Sequence, residues 1–242
     1  MESENLSALT LKEGESRVVF ETAPRAETRI VLEKGARLVH YRLQSRADNV
    51  LTASVGQDAS YTLITVKLGG GDTRIEASLS GRGARLQSDM LYVLKNDDVA
   101  GIVTNIRHDA DETVSAQLIK GAVYDRAKAS FEGGVLIPYD KKAVDGAQQH
   151  RALLLSDDAE VAAVPKLEIY SDDVKCAHGS AIGSLDDRQL YYAMTRGIPE
   201  REARALLTQG FLSEILYEIE DESVRGALSE SLNAFAGFNH DV

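Results

Sequence analysis

A mainly β chain with a small helical C-terminal part is what this sequence predicts, and three observations predict it. Short runs alternate apolar and polar residues with a period of two, glycine and acidic residues punctuate them, and after Gly183 the spacing becomes that of amphipathic helices. With 242 residues, 43% of them hydrophobic, the chain can bury a sizeable core.

From Leu6 to Leu94 the alternating runs fall at residues 17–21, 28–32, 37–43, 49–55, 60–67, 72–79 and 84–94. In Arg37-Leu38-Val39-His40-Tyr41-Arg42-Leu43 and Tyr61-Thr62-Leu63-Ile64-Thr65-Val66-Lys67, β-branched and aromatic residues dominate, as pleated strands favour. Gly35, Gly56, Gly81 and Gly83 separate runs, and Gly69-Gly70-Gly71 reads as a hairpin turn. The rhythm continues at 99–108, 113–120, 128–131, 135–138, 153–155, 167–170 and 174–178. Evenly spaced short strands suit a sandwich, a barrel or a stacked solenoid whose coils each give one strand per sheet, and the repeats are too unlike to decide between them. Past Gly183, Asp186 or Asp187 can cap a helix through residues 189–194, with Gly197 as its stop. Pro199 opens a second helix, whose Ala203, Leu206, Leu207, Gly210, Phe211, Ile215 and Leu216 form one apolar stripe. A third helix over 222–235 carries Val224, Leu228, Leu232 and Phe235. The expected organisation is a β core over 1–183 and a helical subdomain over 184–242. So small an appendix holds little core of its own, so its stripe packs on the β core or is offered to a partner.

A net charge of −11 argues against nucleic acid, whose binding draws on Lys and Arg. The single cysteine makes no internal disulfide. Met1 leads into polar residues rather than a signal segment, and no apolar run reaches the length of a membrane span, so a cytoplasmic protein without membrane contact is expected. Gly69-Gly70-Gly71-Asp72 lacks the Lys-Ser/Thr of a phosphate loop, so no nucleotide is expected on this chain. There is no Cys-x-x-Cys to hold a cluster alone, and no G-x-S-x-G elbow. Cys176 and His178 are different: positions i and i+2 of a strand share a face, so a thiolate and an imidazole can converge on one metal or sulfur atom. The same spacing also suits a buried cysteine beside a hydrogen-bonded histidine. His108 and His150 read as strand-end residues on the surface or satisfied in the core. Asp172-Asp173 suits a tight turn, or negative charge lent to a metal.

Leu153-Leu154-Leu155-Ser156, Pro165-Lys166-Leu167-Glu168-Ile169, Asp173-Val174-Lys175-Cys176-Ala177-His178-Gly179, Gly183-x-Leu185-Asp186 and Arg196-Gly197-Ile198 follow one another in an ordered spacing. His108, Gln117-x-x-Lys120-Gly121, a Phe131-x-Gly133 turn and Gln148 precede them. Over 105–211 this pattern resembles the SufB/SufD family of the SUF iron–sulfur cluster assembly machinery. The resemblance implies a right-handed parallel β-helix, C-terminal helices that dock a SufC-type ABC ATPase, and pairing through the β-helix edge with a SufB-type chain or a second copy. It implies that Cys176 and His178 lie at that interface as ligands or acceptors for iron and sulfur, with Glu168 and Asp173 as supporting oxygen ligands. Leu206, Leu207 and Phe211 are then the partner-binding positions of the helical stripe. The SufB branch has its functional cysteine shortly before the P-x-x-x-I strand, where this chain has Ala159, so the resemblance is to SufD. Typical SufD chains carry a longer N-terminal region, so a minimal short form that homodimerises is expected. The function implied is a non-enzymatic scaffold holding a transient cluster at a dimer interface. The alternative is a purely structural adaptor that binds the ATPase and positions a cluster-bearing partner. A free-standing metalloenzyme would need more ligands than one Cys-x-His supplies.

Overall fold

The structure is a computed structural model that describes residues 3–238. Its strands are β1 (Ala8–Leu11), β2 (Ser16–Glu21), β3 (Glu27–Leu32), β4 (Arg37–Gln44), β5 (Asn49–Val55), β6 (Ser60–Leu68) and β7 (Thr73–Leu79). They continue as β8 (Arg85–Leu94), β9 (Val99–His108), β10 (Val114–Val123), β11 (Lys128–Ile137), β12 (Lys142–Leu154), β13 (Glu160–Ile169) and β14 (Asp173–Gly183). Three helices follow, α1 (Asp187–Thr195), α2 (Glu200–Tyr217) and α3 (Glu222–Ala236).

The odd strands form one seven-stranded sheet and the even strands a second, each in sequence order. All of their pairings are parallel, so each strand pairs with the strand two later and every two strands make one coil of a β-helix. The coil lengthens along the chain, from 21 residues between Ser16 and its partner Arg37 to 31 between Val114 and its partner Asp145. Asp58, Asn96, Glu112, Asp125 and Asp140 turn corners with positive φ, the acidic punctuation of the sequence put to use. The triple glycine is such a corner and not a hairpin, because β6 and β7 belong to different sheets. At Gly71, φ is 93° and a Cβ would lie 2.8 Å from the backbone of Ala47, so only glycine fits.

Two predicted runs, 128–131 and 135–138, are one strand, and the turn expected at Gly133 lies in the middle of β11. A Cβ on Gly133 would meet the Gln148 amide at 2.4 Å, so the glycine serves close packing across the interior rather than chain reversal. β12 starts at Lys142, well before the predicted run at 153, because its inward positions Gly146, Gln148 and His150 carry no apolar signal.

The interior between the sheets is filled by inward residues such as Ile30, Leu51, Leu63, Leu79, Ile102 and Phe131. The even sheet is buried on both faces: Tyr41, Ile64, Val66, Leu91 and Val93 point outward onto Leu212, Ile215, Leu216, Val224, Leu228 and Leu232 of the helices. That explains why runs such as 37–43 look apolar on both faces. Asp221 caps α3 by accepting from Ser223 N and Val224 N at 2.9 and 3.1 Å, and Gly237 ends it in the left-handed conformation. On α2 the buried residues are Ala203, Thr208, Leu212, Ile215 and Leu216, whereas Leu206 and Gly210 of the expected stripe are exposed. The stripe is divided because α2 packs on α1 through Ala203 and Leu207 and on the sheet through Leu212 and its neighbours. Lys120 ties the middle of α2 to β10: its Nζ donates to Phe211 O at 2.8 Å, pairs with the Glu214 carboxylate and lies 4.4 Å from the Phe211 ring centre.

Gly121 is a tight point of the interior. A Cβ there would fall 2.0 Å from Cζ of Tyr92, a ring that is fully buried and whose hydroxyl lies 3.0 Å from His150 Nε2. Gly121→Ala is therefore expected to cost about 3 kcal/mol, the upper end of overpacking penalties, read as a lowered urea midpoint at unchanged slope. An unchanged midpoint would show that the ring has room to move.

Candidate functional site

The β-helix ends in β13 and β14, the outermost strands of their sheets, each paired on one side only. Most of β14 is exposed, and Ala177, His178, Gly179, Ser180, Ala181 and Ile182 lie open on it. An unpaired parallel edge of 11 residues is a row of free backbone donors and acceptors, the feature that invites another strand.

Cys176 and His178 alternate with outward neighbours and so continue the inner rows of the even sheet. Cys176 follows Gly146 and Ser115 in register, and His178 follows Gln148 and Gln117. Cys176 is half-buried against Val135, Ile137, Val144 and Leu167. Burial pushes its thiol up, with the Asp145 charge adding to the effect and a backbone hydrogen bond from Gly146 opposing it. The thiol of the isolated chain is thus held protonated rather than activated. A Cβ built on Gly146 would lie 3.3 Å from Cys176 Sγ and 3.7 Å from His108 Nε2, so glycine leaves an open space between the two. His178 is exposed, and its ring makes no hydrogen bond among the described residues.

The other two sequence-predicted ligands lie elsewhere. Glu168 faces outward from the odd sheet, where it lines a surface cavity of about 280 Å³ with Asn105, Arg107, Glu132 and Lys166. Its neighbour Leu167 is the residue that reaches the Cys176 cluster. Asp173 accepts from Ala143 N at 3.1 Å and holds the irregularity at the start of β12, a turn role. Among the described residues no three His, Cys, Asp or Glu side chains converge as a metal site. A second cavity of about 300 Å³ runs along β12 and β14 and is lined by residues that include Gln148, His150, His178 and Ser180.

His108 and His150 are interior, not surface. His108 lies 2.8 Å from Thr113 Oγ1 and 2.9 Å from Ser115 Oγ; His150 lies 3.3 Å from Ser180 Oγ and is stacked on Phe131 with ring centres 4.6 Å apart. Burial lowers the pKa of each to about 4, with Asp109 and Asp145 partly opposing it at His108. Of the partner-binding positions, Leu206 is 47% exposed, Leu207 packs between α1 and α2, and Phe211 lies under Lys120. Tyr191 and Tyr192 on α1 are exposed aromatics, as Leu206 on α2 is an exposed aliphatic, and a helix cap carries no signal of which α1 residues face outward.

Fold and site together define a β-helical chain with an open pairing edge, a Cys-x-His pair on that edge, and a helical tail folded back on one sheet. A family model described as the SUF system FeS cluster assembly SufBD core domain matches residues 3–211. The chain belongs to the SufB/SufD family. It is 32% identical over 173 residues to the iron–sulfur cluster assembly protein SufD of Escherichia coli, covering 71% of this chain and 41% of that protein. It is 33% identical over 217 residues to an iron–sulfur cluster assembly SufBD family protein of Mycobacterium tuberculosis, covering 84% of this chain and 55% of that one. A chloroplastic protein of Arabidopsis thaliana matches at 30% over 204 residues, 81% of this chain and 43% of its own length. The chain thus spans about half the length of the curated relatives it matches. No described helix is long and apolar enough to cross a membrane.

Proposed function

We propose that this chain is a scaffold subunit of a SUF-type iron–sulfur cluster assembly complex, working in the cytoplasm. The observation that carries the reading is the open last coil, with Cys176 and His178 on its inner rows at an unpaired edge. In this reading β14 pairs with the corresponding edge of a SufB-type chain or a second copy, and the two last coils enclose the cluster as cargo. One Cys and one His from this chain are half a ligand set, and the partner supplies the rest. Pairing also covers His178, removing it from water. The helices present Tyr191, Tyr192 and Leu206 to a SufC-type ABC ATPase, whose cycle moves the paired edges and exposes the site. The thiol, protonated at rest, releases its proton to solvent as its sulfur binds iron, since a neighbouring cation favours the thiolate.

The test is cluster formation with the ATPase and a partner chain under anaerobic conditions. Cys176→Ser and His178→Ala are each expected to abolish or strongly reduce assembly while leaving the complex intact by native mass. Full assembly by both variants would remove the site. A second reading draws on Glu168 facing outward and Asp173 being engaged in the turn, away from Cys176: the chain is then an adaptor that binds the ATPase and positions a cluster-bearing partner. Under it Cys176→Ser retains assembly, whereas Leu206→Asp breaks the complex.

A further inference from the structure

The strand pairing assigns a role to Gln148, a residue with no partner of its own. Gln148 is 1% exposed, yet among the described residues neither Oε1 nor Nε2 of its carboxamide has a hydrogen-bond partner. A buried amide left unpaired keeps its full desolvation penalty, so such groups nearly always have a use. The amide lies against Gly133, where a Cβ would come within 2.4 Å of Oε1 and 2.5 Å of Nε2, so the glycine leaves room for it. Its in-register neighbour on the interior side, Gln117, is likewise buried with both amide atoms unpartnered. Its in-register neighbour on the open side is His178. The nearby histidines are already committed, His150 to Tyr92 and Ser180 and His108 to Thr113 and Ser115. His178 alone among these three has neither ring nitrogen engaged.

An imidazole that binds a metal nearly always donates its second ring N–H to an oxygen, which fixes the tautomer and the ring plane. We propose that Gln148 is the positioning residue for His178, accepting one ring N–H on its Oε1 so that the other ring nitrogen presents a lone pair at the edge. The inference rests on His178 being a ligand. Two features fit it. Because neither amide atom is engaged, the carboxamide can turn its oxygen toward β14 without breaking a bond. Adjacent rungs of a parallel sheet are about 4.8 Å apart, within reach of a glutamine and an imidazole on the same face.

The test reads the tautomer of His178 directly, in the full chain labelled with ¹⁵N-histidine at a pH where the ring is neutral. His178→Ala identifies the signals. In the wild type His178 is expected in one dominant tautomer; in Gln148→Leu it relaxes to the mixture of a free imidazole; in Gln148→Glu, which keeps an acceptor, the bias returns. Unchanged signals of His40, His108 and His150 report an intact interior, so a merely structural effect is recognised. A free-imidazole pattern in the wild type, or an unchanged one in Gln148→Leu, overturns the inference. Single-tautomer His178 in a chain whose Cys176 and His178 variants still assemble clusters retains the hydrogen bond and removes the scaffold reading. Assembly that depends on His178, with its tautomer unbiased, does the reverse.

Discussion

At pH 5 the β-helix is expected to be less stable than at pH 8 by about 4 kcal/mol, with about 2 kcal/mol from each of His108 and His150. Both rings are fully enclosed, and burial holds each near a pKa of about 4, against about 6.5 when the chain is unfolded. The folded state binds these protons less readily than the unfolded state, so the stabilisation is complete above pH 6.5 and is lost as pH falls toward 4. Asp89 works the other way, because burial under α2 raises its pKa and favours the folded state in acid. Glu21 adds a loss at lower pH. Burial alone would raise its pKa, but the hydrogen bond from His40 and the Arg42 charge outweigh that and lower it. Urea midpoints of the wild type and of His150→Gln at several pH values test this. The variant should be less stable at pH 8 yet lose less between pH 8 and 5. Equal midpoints of the wild type at the two pH values would contradict the account.

Glu21→Gln is expected to destabilise the chain by about 3–5 kcal/mol, because it leaves Arg42 charged and uncompensated in the interior. Arg42 is wholly buried, its Nε donates to Glu21 Oε2 at 2.9 Å, and among the described residues its two terminal nitrogens have no partner. The same carboxylate oxygen lies 2.9 Å from His40 Nε2, and Oε1 accepts from Leu6 N at 2.8 Å. Most of the loss should return in Glu21→Gln with Arg42→Met, since removing the guanidinium as well leaves no uncompensated charge in the interior. A double variant no more stable than Glu21→Gln alone would show that the Leu6 and His40 bonds, not the ion pair, carry the stability.

The strands were legible wherever inward positions are apolar, as in 49–55 and 99–108, whose bounds match β5 and β9. They were illegible where the interior turns polar. In β4 the inward residues beyond Leu38 are His40, Arg42 and Gln44, while outward Val39 and Tyr41 meet the helices, so alternation alone points to the wrong face. β12 disappears for the same reason. Helix ends were clear because Asp186, Pro199 and Gly197 act locally, without help from distant contacts. The face of α2 was not, since its packing depends on two neighbours at once. At the site, the i, i+2 relation of Cys176 and His178 is a strand property and could be read directly. That Glu168 points away from them follows from the same alternation across the other sheet, which no spacing within β13 relates to β14.

The lengthening coil makes the two ends of the molecule unlike. The first coil offers strands of 4 and 6 residues, the last offers strands of 10 and 11. A strand as long as β14 laid on β2 would leave about half of its length unpaired, and Glu4 already bridges to Glu21 there. Only ends of equal width match along their full length. A strand added along β14 can form ladder hydrogen bonds over 11 residues, against 6 along β2, so the wide edge of the described β-helix holds an added strand over nearly twice the length.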